Sequence, residues 1–170
     1  MKIYLAAPLF SQQERQYNRR LAARLQERLP HAEVVLPQDF RVGPGGGAYN
    51  DRRHLQVVFK RCLEAVRAAD ILLALLDGAD ADSGVAFEVG FARALGKPVL
   101  GVRTDFRQLQ VKGLNVMLAE GCSEVLCHFS FDENLDHLVE AILARIEKLA
   151  EPGRTVSPRR HGDTENNRAE

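Results

Sequence analysis

The sequence predicts a single-domain α/β protein, a three-layer sandwich around a five-stranded parallel sheet of flavodoxin-like or Rossmann-like type. Three observations carry this expectation. Short apolar runs alternate with stretches of helical periodicity along residues 1–150, the trace left by parallel strands joined through crossover helices. The run at residues 71–76 is apolar without interruption, as befits a central strand buried on both faces. The connections between runs are short, and no internal repeat is visible.

Residues 3–7, Ile-Tyr-Leu-Ala-Ala, form the first expected strand. Ser11 and Glu14 then have capping-box spacing, and Leu21, Leu25 and Leu29 continue a helix up to Pro30. Residues 33–36 are the second strand. Residues 41–51, with Gly43, Gly45, Gly46 and Gly47, read as a mobile loop. A helix over 54–69 leads to the central strand at 71–76. After a turn, a helix over 83–95 is closed by Gly96, with Pro98 beyond it. Residues 99–102 are the fourth strand, 104–117 an irregular segment or short helix, and 124–127 the fifth strand. The last helix is expected to begin near Asp132, because Leu135, Leu138, Val139, Ile142, Leu143, Ile146 and Leu149 fit one buried face. From residue 151 the chain is polar and aperiodic, so 1–150 is read as the domain and 151–170 as a disordered tail.

Composition narrows the function. Lys plus Arg and Asp plus Glu both number 23, which gives no net charge to attract nucleic acid or an anionic membrane. Zero net charge favours self-association, in keeping with a homo-oligomer. Cys62, Cys122 and Cys127 form no CxxC pair and read as reduced thiols of a cytoplasmic protein. The opening apolar segment is too short for a signal peptide or a membrane span. The first strand is followed by no GxGxxG, no Walker lysine occurs, and no His/Cys/Asp set has metal-ligand spacing. Neither a cofactor nor a metal is expected.

The chemistry concentrates in residues 77–90. Asp77, Asp80 and Asp82 crowd the turn between the central strand and the next helix. Helix capping by Asp82 or Ser83 accounts for part of this. It does not account for Glu88, which lies between Phe87 and Val89 in a helix otherwise built of small and apolar residues. Helical side chains lean toward the N-terminus, so Glu88 points over Gly84, where a missing side chain leaves an open notch. A carboxylate in such surroundings needs donors or a function.

Here the sequence resembles the nucleoside 2-deoxyribosyltransferases. Lys-Ile-Tyr-Leu-Ala-Ala-Pro-Leu-Phe at residues 2–10 is similar to that family's opening. Asp82-Ser83-Gly84 followed by Phe87-Glu88-Val89-Gly90 resembles its nucleophile helix, and Leu114-Asn115-Val116-Met117-Leu118 resembles its late Asn-x-Met segment. The likeness runs collinearly from Met1 to about residue 149. It implies Glu88 as nucleophile on the anomeric carbon, Asp82 as the proton-transfer group at the base, and Tyr4 as the residue that holds Glu88 in line. It also implies Phe10 as a wall of the base pocket, and Asn115 and Met117 as groups that reach the sugar in a neighbouring subunit's site. Cys62 stands where many relatives carry a base-contacting Asp or Asn. With Asp77 and Gly84 it completes the substrate-binding candidates. The implied partners are a nucleoside and a free nucleobase.

Three activities are compatible with these residues. The first is deoxyribosyl transfer between bases. The second is hydrolysis of 2′-deoxynucleosides or their 5′-monophosphates with the same Glu. The third is a non-catalytic nucleotide-sensing domain, since a fold alone does not fix function.

Overall fold

In the computed structural model, residues 1–40, 52–106, 114–132 and 134–150 are described. Along β1 (Lys2–Ala6), Ile3 and Leu5 turn to one side and Tyr4 and Ala6 to the other, and all four are fully buried. The same alternation runs through β3 (Ile71–Leu75) and β4 (Val99–Arg103). Both faces of the sheet are therefore covered, which explains why its central strands are apolar throughout. With β2 (Glu33–Val35) and β5 (Glu124–Cys127), the strand order is β2-β1-β3-β4-β5, parallel at every pairing.

Helices α1 (Gln12–Arg28) and α5 (Asp136–Ala150) cover one face. They bring Leu21, Leu25, Leu138, Val139, Ile142 and Ile146 onto Ile3, Leu5, Leu73 and Leu100. Helices α2 (Arg52–Ala68), α3 (Ser83–Ala94) and α4 (Val116–Gly121) cover the other. There Val66, Val85, Val89 and Ala92 meet Tyr4, Leu72, Ala74 and Leu76. This is the expected three-layer sandwich, and its strand order is the flavodoxin-like one. Among the described residues no helix is long and apolar enough to cross a membrane.

The local signals behave as their chemistry requires. The Ser11 hydroxyl accepts from Glu14 N, and the Glu14 carboxylate accepts from Ser11 N, closing the capping box. Gly96 ends the third helix at a φ of 69°. Two expectations change. A short 3-10 turn over Pro37–Asp39 follows β2. The last helix begins at Asp136, not near Asp132. Before it, side-chain oxygens of Ser130, Asp132 and Asn134 each accept the backbone N–H two residues on, and such local bonds hold the chain out of a helix. The expectations for 41–51, for 107–113 and for the tail 151–170 lie outside the described residues.

Topology places the site. From β1 the chain steps to one side to form β2 and then crosses to the other side of β1 for β3. The resulting crevice lies beyond the carboxyl ends of β1 and β3.

Candidate active site

Two strand-end turns and one helix frame the crevice. After β1, the carbonyl of Pro8 accepts from Asn18 Nδ2 at 2.8 Å, and those of Leu9 and Phe10 accept from Arg15 Nη1 at 2.9 Å each. Asn18 is 3% exposed and also donates to Gln38 Oε1. Thus α1 pins the turn that carries Phe10, whose ring is 68% exposed. After β3 the chain passes Asp77 and turns at Gly78, where a φ of 113° suits glycine. It then reaches Asp82, whose Oδ1 accepts from Gly84 N at 2.9 Å and Val85 N at 3.0 Å. Asp82 is therefore the N-cap of α3, and its Oδ2 takes no hydrogen bond among the described residues.

Glu88 lies on α3, half-buried, above the face of the sheet that presents Tyr4. The Tyr4 hydroxyl donates to Glu88 Oε1 at 2.6 Å, a short bond of the kind that charge assistance produces. Burial pushes the Glu88 carboxyl up to about 7, and the Asp82 charge adds to the rise, while the Tyr4 hydrogen bond works against it. The Tyr4 hydroxyl is itself raised by burial and then by the Glu88 charge, so it remains a donor. Cys62, projecting from α2, lies against the Tyr4 hydroxyl. Burial raises its thiol, so it stands there as a neutral group. A Cβ built at Gly84 would meet Asp82 Oδ1 at 3.0 Å, so the glycine lets the capping carboxylate lie close over the first turn of α3.

Tyr4, Cys62, Asp82, Gly84 and Glu88 thus converge from β1, α2 and α3. Asp77, Asn115 and Met117 lie elsewhere. Asp77 turns toward the end of β4, where its Oδ1 accepts from Thr104 N and Asp105 N and its Oδ2 from the Thr104 hydroxyl. Asn115 is the N-cap of α4, with Oδ1 accepting from Met117 N at 2.8 Å. Leu114 is buried beneath that helix, while Val116 is 61% and Met117 78% exposed. The segment is therefore both a short helix and an apolar surface. Among the described residues no group of three or more His, Cys, Asp or Glu side chains could hold a metal ion.

Sequence reasoning passed over the side chains that brace these turns. Arg103 ends β4 and is 1% exposed. The apolar run at 99–102 gave no cause to extend the strand to a charged residue. Asn18 did leave a signal, since it lies three positions before Leu21 and seven before Leu25, on the buried face of α1.

A family model described as nucleoside 2-deoxyribosyltransferase matches residues 3–141. A nucleoside deoxyribosyltransferase of Limosilactobacillus fermentum is 27% identical over 126 residues, covering 71% of this chain and 75% of that protein. The structure of a 2-deoxyribosyltransferase from Bacillus psychrosaccharolyticus superposes with a TM-score of 0.63 at 24% identity, covering 82% of this chain and 90% of the other. A CMP N-glycosidase from Clostridium botulinum shares the fold, with a TM-score of 0.53 at 17% identity over 85% of this chain and 99% of the other.

Proposed function

The chain belongs to the nucleoside 2-deoxyribosyltransferase family, and from that premise we propose that it transfers 2-deoxyribose between nucleobases through a covalent ester on Glu88. The observation that carries this reading is the 2.6 Å bond from Tyr4 to Glu88 on the half-buried face of α3. It holds one carboxylate oxygen still and leaves the other for attack.

Cleavage develops positive charge on the sugar ring and negative charge on the departing base. The Glu88 oxygen bonds to C1′ as the C1′–N bond breaks, and the bonding pair leaves with the base nitrogen. Asp82 relays a proton to that nitrogen through Oδ2, which takes no hydrogen bond among the described residues. A second base then attacks C1′, returning the pair to Glu88, and loses its own proton to Asp82. The missing 2′-hydroxyl makes the ring cation easier to form, so the carboxylates suffice without a metal or cofactor. Phe10 and Cys62 line the base side of the crevice.

The catalytic unit is residues 1–150. Asn115 and Met117 serve the sugar site of a second copy of the chain, which fits a helix that turns Val116 and Met117 outward. Phe59 on α2 and Phe87 on α3 are also exposed and in ring contact, with half-buried Phe91 stacked against Phe87.

A second reading is hydrolysis, in which water replaces the second base at the same ester. The shared fold with a CMP N-glycosidase favours considering it. Incubation with a 2′-deoxynucleoside, with and without a second free base, separates the two. Transfer requires a new nucleoside to form only when the second base is present. Equal release of free 2-deoxyribose in both arms makes the protein a hydrolase, and no cleavage in either arm refutes both.

A further inference from the structure

Resting on the reading of Glu88 as nucleophile, we infer that Leu55 and Val58 are specificity-determining residues. With Cys62 they wall the α2 side of the crevice, and the wall selects a base by an apolar edge such as the 5-methyl group of a pyrimidine.

The circumference of α2 is sharply divided. Leu55, Val58, Cys62 and Val66 recur at steps of three and four along one stripe, while exposed Arg53, Lys60, Glu64 and Arg67 hold the opposite side. The C-terminal end of the stripe has a structural reason, since Val66 is buried with Tyr4 and Leu72 against the sheet. Cys62 lies against the Tyr4 hydroxyl at the floor of the crevice. The stripe then continues for two more turns toward the start of the helix. There it has no core to fill, because neither Leu55 nor Val58 belongs to either buried cluster.

The topology gives the stripe its place. α2 ends at Ala68, beside the amino end of β3, so its first turns stand beyond the carboxyl ends of the strands. At 1.5 Å per residue Val58 lies about 6 Å, and Leu55 about 10 Å, past Cys62, each turned within about 40° of it around the helix. Phe59 fixes the level, because its ring meets Phe87, the neighbour of Glu88, at 5.9 Å between centroids. The first turns of α2 therefore flank the stretch of α3 that carries the nucleophile. Val58 is half-buried, and Leu55 is 46% exposed although it shares the direction of a side chain that meets Tyr4. The space in front of Leu55 is the mouth of the crevice.

The wall is made of two hydrocarbon side chains and a thiol, itself a weak donor that packs as a small hydrophobe. A ring edge bearing an amino or carbonyl group loses its water there and gains no comparable partner. An edge bearing a methyl group gains by leaving water. Recognition of the base thus comes from α2, apart from the chemistry at Glu88 and Asp82.

Thymine and uracil differ by one methyl group, so their competition for a purine 2′-deoxynucleoside donor reads the wall. Wild type should favour thymine in kcat/KM by about threefold to fourfold, the worth of one buried carbon. Val58→Thr keeps the side-chain shape and Leu55→Asn nearly does, and neither position supports the core. Each variant should bring the ratio toward one, through KM more than kcat. If the ester is hydrolysed instead of transferred, cleavage of thymidine against 2′-deoxyuridine gives the same ratio. Binding of these two nucleosides to Glu88→Gln, followed by NMR of the Leu55 and Val58 methyls, gives it without turnover. Failure of the transfer reading is thereby told apart from failure of the wall. Equal handling of the two bases by wild type, a preference that neither variant moves, or no binding of either nucleoside would overturn the inference. So would a Leu55→Asn protein that falls to monomers with its base ratio unchanged, which assigns Leu55 to an interface between copies.

Discussion

Replacing Glu88 by Gln should strengthen the fold as pH rises while destroying activity. Gln is nearly isosteric, and its amide oxygen can still accept from Tyr4, so the change removes the charge and little else. The carboxyl has its ordinary value of 4.5 when unfolded and is pushed up to about 7 by burial when folded. A folded-state value that is raised stabilises the protein fully below the unfolded value, and that stabilisation is lost as pH rises through the folded one. The shift between 4.5 and about 7 makes the ionised Glu88 destabilising by about 3 kcal/mol above neutral pH. By about pH 5 roughly 1 kcal/mol of this loss has appeared, and by about pH 8.5 nearly all of it. The assay is urea unfolding of both proteins at those two pH values. Every other titrating group is common to the two, so subtraction isolates Glu88. The advantage of Glu88→Gln over wild type should grow by about 2–3 kcal/mol from the lower to the higher pH. Turnover should fall at least about a thousandfold, as for the loss of other covalent nucleophiles. A stability gap that is the same at both pH values would refute the account of a buried, charge-strained carboxylate. Near wild-type turnover would refute the ester.

Wild-type kcat/KM should rise with pH and reach half its limit near 7, because only the ionised Glu88 attacks. In Tyr4→Phe the loss of a bond that favours the charged form should move that half-point upward by about one unit, and an unmoved pH–rate profile would remove Tyr4 from the site. Asp82→Asn keeps a good N-cap, so its stability should change by less than about 0.5 kcal/mol, whereas Asp82→Ala should lose about 1 kcal/mol. Asp82→Asn should also slow transfer most for poorly leaving bases, and an equal loss across bases would reduce Asp82 to a cap. Mixing Glu88→Ala with Asn115→Ala chains should restore part of the activity if each site draws on two copies. A fully active monomer in sedimentation would defeat the shared site.

The sequence alone determined the layer order of this protein, because hydrophobic periodicity is a local record of burial. Apolar runs between amphipathic helices leave few arrangements other than a parallel sheet covered on both faces, and the Ser11–Glu14 box and Gly96 marked helix ends because capping involves neighbours in the chain. Glu88 was legible for the same reason: a carboxylate between Phe87 and Val89 contradicts its own helix. Only the tertiary structure decided which groups share the crevice. Tyr4 and Glu88 stand 84 positions apart in the chain yet 2.6 Å apart in space. Cys62 reaches the same hydroxyl from a third element. Asp77, next in sequence to the acidic turn, faces away to Thr104 and Asp105, because the end of β4 lies beside it and offers donors. Arg103 carried no periodic signal at all. Its burial depends on the carbonyls of Leu76 and Gly78, which the sheet brings within reach of a strand far along the chain. Periodicity records what each segment does with water, whereas partner identity is set by strand order, and strand order exists only once the chain has folded.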